Sequence, residues 1–237
     1  MIELLEHEMI ELLEHAGSDN SIANTARVSM GTGQLWNELP KDYTEVSRDR
    51  LIKYLAFNKH TSPFRHTSIT VRAKVPIFLA RQLGKHQVGL SWNEVSRRYV
   101  DTDIEFFYPE KWRKRPDKSI KQGSGETFVG HLNDGIQAEY DQTIQFAMDT
   151  FNGMLDAGVA PEMARMVLPQ SMMTEFIWTG SLMAFAHVYN LRFDSHAQVE
   201  AQDFAKDLDK IIRPLFPVAW AALTGETNEQ SKDADAS

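Results

Sequence analysis

Residues 68–87, SITVRAKVPIFLARQLGKHQ, restrict the fold more than any other stretch of the chain. Ser68 to Val75 alternates, with Ile69, Val71, Ala73 and Val75 on one side, so it reads as a strand with one face on a core and the other open. Pro76 has no amide hydrogen to continue a ladder, yet its fixed φ suits a first helical turn, and residues 76–87 read as that helix. The chain must therefore combine a sheet with helices.

Helical periodicity dominates the remainder. From Met9, MIELLEHAGSDNSIANTARVSM reads as a strand, a Gly-Ser-Asp turn and a helix opened by an Asp or Ser cap. A second helix, EVSRDRLIKYLAFNKH, carries Val46, Leu51, Ile52, Leu55 and Phe57. Residues 126–158 read as a long amphipathic helix, with Phe128, Leu132, Ile136, Tyr140, Ile144, Phe146, Phe151 and Leu155 at mostly helical intervals. PEMARMVLP is a short helix bracketed by prolines, and residues 181–216 read as two helices broken near Phe193 to Ser195. The expected fold is α+β: a helix-rich single domain over residues 9–223 with a small mixed or antiparallel sheet. Residues 1–8 duplicate the segment that follows them, and residues 224–237 offer nothing to bury, which predicts a flexible polar tail.

A chain of 237 residues with 42% hydrophobic side chains can bury a sizeable core. Its formal charge of -8 argues against coating nucleic acid by bulk electrostatics, because such binding rests on cationic neutralisation of many phosphates. Any anion site must be local. No stretch approaches the roughly 20 apolar residues of a membrane span, and the N-terminus has no signal-peptide pattern, so a cytoplasmic location is expected. Cysteine is absent, which excludes disulfides, thiolate metal sites and a thiol nucleophile. The eight histidines show no HExxH spacing, and no metal site is expected.

Local positive charge occurs twice. Residues 108–125 form a Pro/Gly-containing excursion with six Lys or Arg between 111 and 121, either a solvated loop or an electropositive lip for a phosphate- or carboxylate-bearing ligand. With Trp112 as a stacking platform, it is also the one feature that favours a nucleic-acid-binding module. The second cluster is KHQVGLSWNEVSRRY, where Lys85, His86, Arg97 and Arg98 surround Asn93, Glu94 and Ser96. Guanidinium groups fork onto phosphate oxygens, and Ser96 adds a neutral donor. Glu94 among arginines is expected to stay ionised and to accept from a ribose hydroxyl or orient a guanidinium.

This second cluster resembles the signature of the flavin-dependent thymidylate synthases, in which Arg-His-Arg is followed by seven or eight residues and a serine, with Asn-Glu before that serine and Arg-Tyr after it. Here Lys85, His86 and Gln87 precede VGLSWNEV and Ser96. Lys85 keeps the charge of the usual arginine without its bidentate fork, and Gln87 loses the charge. NTARVSMGTG, TSPFRHTSITVRAKVPIFLARQ, ARMVLP and NLRFDSHAQVE are similar to four further family blocks, in the expected order.

The resemblance implies reductive methylation of dUMP to dTMP, with FAD as cofactor, and NADPH and 5,10-methylenetetrahydrofolate as co-substrates. It implies a homotetramer with active sites at subunit interfaces and small-molecule partners, without nucleic acid or membrane. A chain lacking cysteine cannot activate uracil by thiolate attack, so cationic donors must polarise the ring, and the resemblance gives that catalytic role to Arg192. Asp194 and His196 are candidates to steer it. The implied dUMP bed is Gln82, Lys85, Glu94, Val95, Ser96, Arg97, Arg98, Arg165 and Arg192, with Ser96 a binding group rather than a nucleophile because no general base adjoins it. The implied FAD residues are His66, Ser68, Lys85, His86, Gln87, Glu94 and His187, with Ser181 a rival for the last. A related enzyme acting on another pyrimidine nucleotide fits the same blocks.

Overall fold

The computed structural model describes residues 9–32, 36–116 and 123–225. The duplicated residues 1–8, Lys118 and Lys121 of the basic excursion, and residues 226–237 of the tail lie outside them.

Four antiparallel strands form one sheet in the order β1-β2-β4-β3: β1 (Ile10–Ala16), β2 (Ser68–Pro76), β3 (Leu90–Glu94) and β4 (Met173–Gly180). The alternation in β2 is realised: Ile69, Val71, Ala73 and Val75 are buried, while Arg72 on the other face is exposed. Phe176 and Trp178 of β4 sit beside them in register, Phe176 opposite Ala73 and Trp178 opposite Val71. On the open face Arg72 pairs with Glu11 and Glu175, and Lys74 with Glu105 at 2.7 Å. Solvent-exposed pairs of this kind contribute about 1 kcal/mol or less, so the sheet is held by its buried face.

The buried face is covered by α1 (Asp19–Arg27), α2 (Glu45–Phe57), α6 (Leu182–Arg192), α7 (Val199–Ile212) and α8 (Pro217–Thr224). The Ser18 side chain caps α1, as the Gly-Ser-Asp turn predicts. Asp19 instead reaches 199 and 200 residues along the chain, accepting from the amides of Val218 and Ala219 and thereby capping α8. Burial outweighs these bonds and raises the Asp19 pKa.

Three expectations change. The helix after β2 is α3 (Ile77–Leu83): Pro76 stays in the strand opposite Met173 and Gly84 ends the helix, so Lys85, His86 and Gln87 lie in a turn. The long helix is α4 (His131–Asp156), because residues 126–128 pair with 112–114 instead and Gly130, at φ 62, redirects the chain. Its apolar stripe is only partly covered; Ile144, Ala147 and Phe151 are buried, but Leu132 and Phe146 are 69% and 74% exposed. In α2, likewise, Ile52 and Leu55 face inward while Val46 and Phe57 are exposed. Strands β3 and β4 and helix α8 had no assignment from the sequence. The bracketed helix is α5 (Pro161–Ala164), continued by a 3-10 turn over Arg165–Val167.

Candidate active site

The turn after α3 doubles back against α6. Gly89 adopts φ 73, and a Cβ there would lie 3.4 Å from the Ala184 methyl, so the turn and the helix are in contact. This brings His86 to α6 at two points. Its ring meets that of His187 edge-on at 5.9 Å between centroids, and its Nε2 accepts from Arg192 Nε at 3.1 Å. Arg192 Nη2 also donates to the carbonyl of Gln82 at 3.0 Å, and Gln82 Nε2 donates to Gln198 Oε1 at 2.6 Å.

These contacts fix the guanidinium. With Nε and one Nη2 hydrogen engaged, its remaining N–H groups can donate to a further acceptor. Burial lowers the Arg192 pKa, yet a guanidinium stays charged at neutral pH. His86 must be neutral to accept at Nε2. Burial first, then the Arg192 charge, then His187, push its pKa down to about 4. The expectation that Asp194 and His196 steer Arg192 is corrected. Asp194 Oδ1 accepts from the His196 amide at 2.8 Å and contacts its ring at 2.9 Å, and the amide bond is the main cause holding that carboxyl below its usual range. These two residues close their own turn.

A second group lies at the other end of β3. Leu90 pairs with Gly180 and Glu94 with Phe176, so β3 carries the chain away from the start of α6. Glu94 is exposed, and its oxygens accept from Thr174 Oγ1 at 2.7 Å and Trp92 Nε1 at 3.2 Å, not from arginines. Beyond it the Val95 amide bonds the Glu175 carbonyl. Ser96 Oγ accepts from the Arg98 amide and Nε, both at 3.3 Å. No base adjoins that hydroxyl, as expected. Arg98 is exposed beside the Tyr99 ring. Arg97 turns away, donating to the carbonyls of Val100, Thr102 and Asp103.

Among the described residues no hydrogen bond or ion pair joins Arg192 to Glu94, Ser96, Arg98 or Arg165. Arg165 is exposed and donates to the Glu162 carbonyl. Hydrogen bonds and a ring contact therefore join Gln82, His86, His187 and Arg192, and none among the described residues ties them to the 94–98 group or Arg165. His66 and Ser68 stand at the entry to β2, and the side chains of His66, Lys85 and Gln87 are exposed. None of those three makes a side-chain hydrogen bond among the described residues. Exposed lysine, imidazole and amide donors suit a phosphate-bearing, hydrogen-bond-rich group such as a flavin nucleotide.

The sequence reading gave no role to Gln198, Thr174 or Trp92. Gln198 lies within the NLRFDSHAQVE block, but its partner is 116 residues away and no local pattern marks it. Trp112 is engaged by α4: its Nε1 donates to Gln137, its amide to Asn133, and its ring meets Tyr140 at 5.1 Å. These contacts tie the indole to α4.

Comparison with known proteins gives the fold's relatives and the family. A UMP/dUMP methylase, PolB, from Streptomyces cacaoi superposes with a TM-score of 0.79 at 29% identity, covering 91% of this chain and 94% of that one in its complex with 5-Br dUMP. The family model of the thymidylate synthase complementing protein matches residues 11–218. The flavin-dependent thymidylate synthase of Kosmotoga olearia is 40% identical over 224 residues, 94% of this chain and 92% of that protein. That of Thermus thermophilus is 35% identical over 224 residues, 94% of this chain and 77% of that protein. The chain belongs to the flavin-dependent thymidylate synthase family.

Proposed function

We propose that this chain makes dTMP by reductive methylation of dUMP, with 5,10-methylenetetrahydrofolate as carbon donor and NADPH as reductant. When bound, FAD supplies the hydride that reaches the new methyl group. The observation that carries the proposal is the Arg192 guanidinium, held from two sides by His86 and the Gln82 carbonyl in a chain without cysteine.

With no thiolate, uracil C5 can be made nucleophilic by ionising N3, so that the anionic ring feeds density to C5 while the charge on N3 and the carbonyl oxygens is stabilised. A fixed cation with spare N–H groups does this without reorganising during the reaction. Arg192 is that group, and His86 keeps Nε from turning away. Gln82, Lys85, Glu94, Val95, Ser96, Arg97, Arg98 and Arg165 form the nucleotide bed, with Arg98 and Arg165 on the phosphate and Ser96 a neutral donor. His66, Ser68, Lys85, His86, Gln87, Glu94 and His187 hold FAD. The complete site is built between subunits of a homotetramer, with residues 9–223 as the folding unit. No described helix is long and apolar enough to cross a membrane.

The test is an anaerobic assay in which reduced, bleached flavoprotein receives dUMP and methylenetetrahydrofolate, with flavin reoxidation and dTMP read together. Both should appear at matching rates; reoxidation without dTMP would sink the proposal. Because the similar methylase from Streptomyces cacaoi was also solved with 5-Br UMP, UMP belongs in the same assay as a second substrate.

A further inference from the structure

We propose that the ion pair between Arg113 and Glu200 is a positioning device for Arg192, acting through the turn that joins α6 to α7; the inference rests on the function proposed above. Arg113 Nη2 donates to Glu200 Oε1 at 2.6 Å, and Glu200 is only 8% exposed. The pair is poorly suited to stabilising the fold, since Arg113 Nε and Glu200 Oε2 are both buried with no hydrogen-bond partner among the described residues. A buried pair with open valences does not recover the cost of removing two charges from water, so an apolar pair of similar volume would stabilise at least as well. What the ions supply is one fixed distance between two segments 87 residues apart.

Both ends of that distance are anchored. Arg113 sits in a short antiparallel pairing, opposite Thr127, with the Lys114 amide on the Glu126 carbonyl and the Phe128 amide on the Trp112 carbonyl. Trp112 fastens this arm to α4 through Asn133 and Gln137. The returning side of the arm passes over the same turn, where a Cβ on Gly123 would lie 3.9 Å from the His196 carbonyl. At the other end Glu200 lies in the first turn of α7, two residues after Gln198. Gln198 accepts from Gln82, whose carbonyl accepts from Arg192. Moving Glu200 relative to α4 moves Gln198, and with it one of the two acceptors that aim the guanidinium.

The experiment compares Glu200→Gln with wild type in the full-length, FAD-loaded protein, alone and in a Gln198→Ala background. Alone, the substitution is expected to lower kcat for dTMP about tenfold, with KM for dUMP changed less than about threefold. In the Gln198→Ala background the further loss should be less than about twofold, because the route to Arg192 is already cut. Equal losses in the two backgrounds, or wild-type kcat in Glu200→Gln, would overturn the inference. Arg113→Lys keeps a cation but shifts the contact, and should reproduce the pattern if Glu200→Gln does not fold. The 15N–1H signal of Arg192 Nε is a readout independent of turnover: it should shift in Glu200→Gln, and an unmoved signal counts against the device. A wild-type protein that makes no dTMP, with the signal still shifted between it and Glu200→Gln, would break the proposed function and leave the positioning role standing.

Discussion

The two ends of the β3 segment differ in how far a single chain completes them. At the turn before β3, Arg192 is held by groups of this chain: the Gln82 carbonyl, His86 and, through Gln82, Gln198. After β3, Ser96 and Arg98 bond mainly each other and Arg165 bonds a local carbonyl, leaving exposed cations with spare donors. The first region holds its guanidinium through contacts within the chain, which is what stabilising a developing charge requires. The second is open, as suits a bed completed by a phosphate or another subunit.

That contrast is most severely tested at Arg192. Arg192→Ala should lower dTMP formation by about 10³-fold while the flavin absorbance of the purified protein stays unchanged, since the proposed role of the side chain is on the substrate ring. Full activity in that variant would end the contrast. A smaller effect belongs to the open side: Arg98→Ala should raise KM for dUMP about tenfold with a much smaller change in kcat, and shift stability by less than about 0.5 kcal/mol, because the side chain is exposed. A loss confined to kcat would mean this region is as organised as the other.

Acid should act on the closed side first. The folded-state pKa of His86, about 4, lies below its ordinary 6.5. Between these values the unfolded chain binds a proton that the folded chain does not, so stability should fall as pH drops from 6.5 toward 4 and be unaffected by this group above that window. Urea titrations across this range, with His86→Gln as control, check it; the control should show a flatter dependence. The smallest effect is expected from Lys85→Arg, which restores a bidentate fork on an exposed residue and should leave flavin affinity unchanged or tighten it a few-fold. A large loss would place Lys85 against a partner it cannot share with arginine.

Much of this was legible in the residues. The alternation of Ile69, Val71, Ala73 and Val75 gave β2 and its buried face, and the turn and cap at Ser18 gave the start of α1. Strand β4 went unassigned although Thr174, Phe176 and Trp178 alternate, because the segment is short and follows closely on a proline-bounded helix. Helix α8 is short and is capped by a residue from the other end of the chain, a contact no local pattern reveals. Among site residues, the resemblance named Arg192 and His86 but not their bond, and the local pattern set Glu94 among arginines where the fold gives it Thr174 and Trp92.

By itself the sequence determined that one strand face is buried, that long helices accompany it, and that no thiol chemistry is available. These follow from side-chain period and composition, which are local properties. Only the tertiary structure decided which apolar stripes are covered within one chain, and that His86, 106 residues from Arg192, orients it in place of the nearby Asp194. A side chain's spacing along the chain fixes the face it occupies, whereas its partner is set by how whole elements pack.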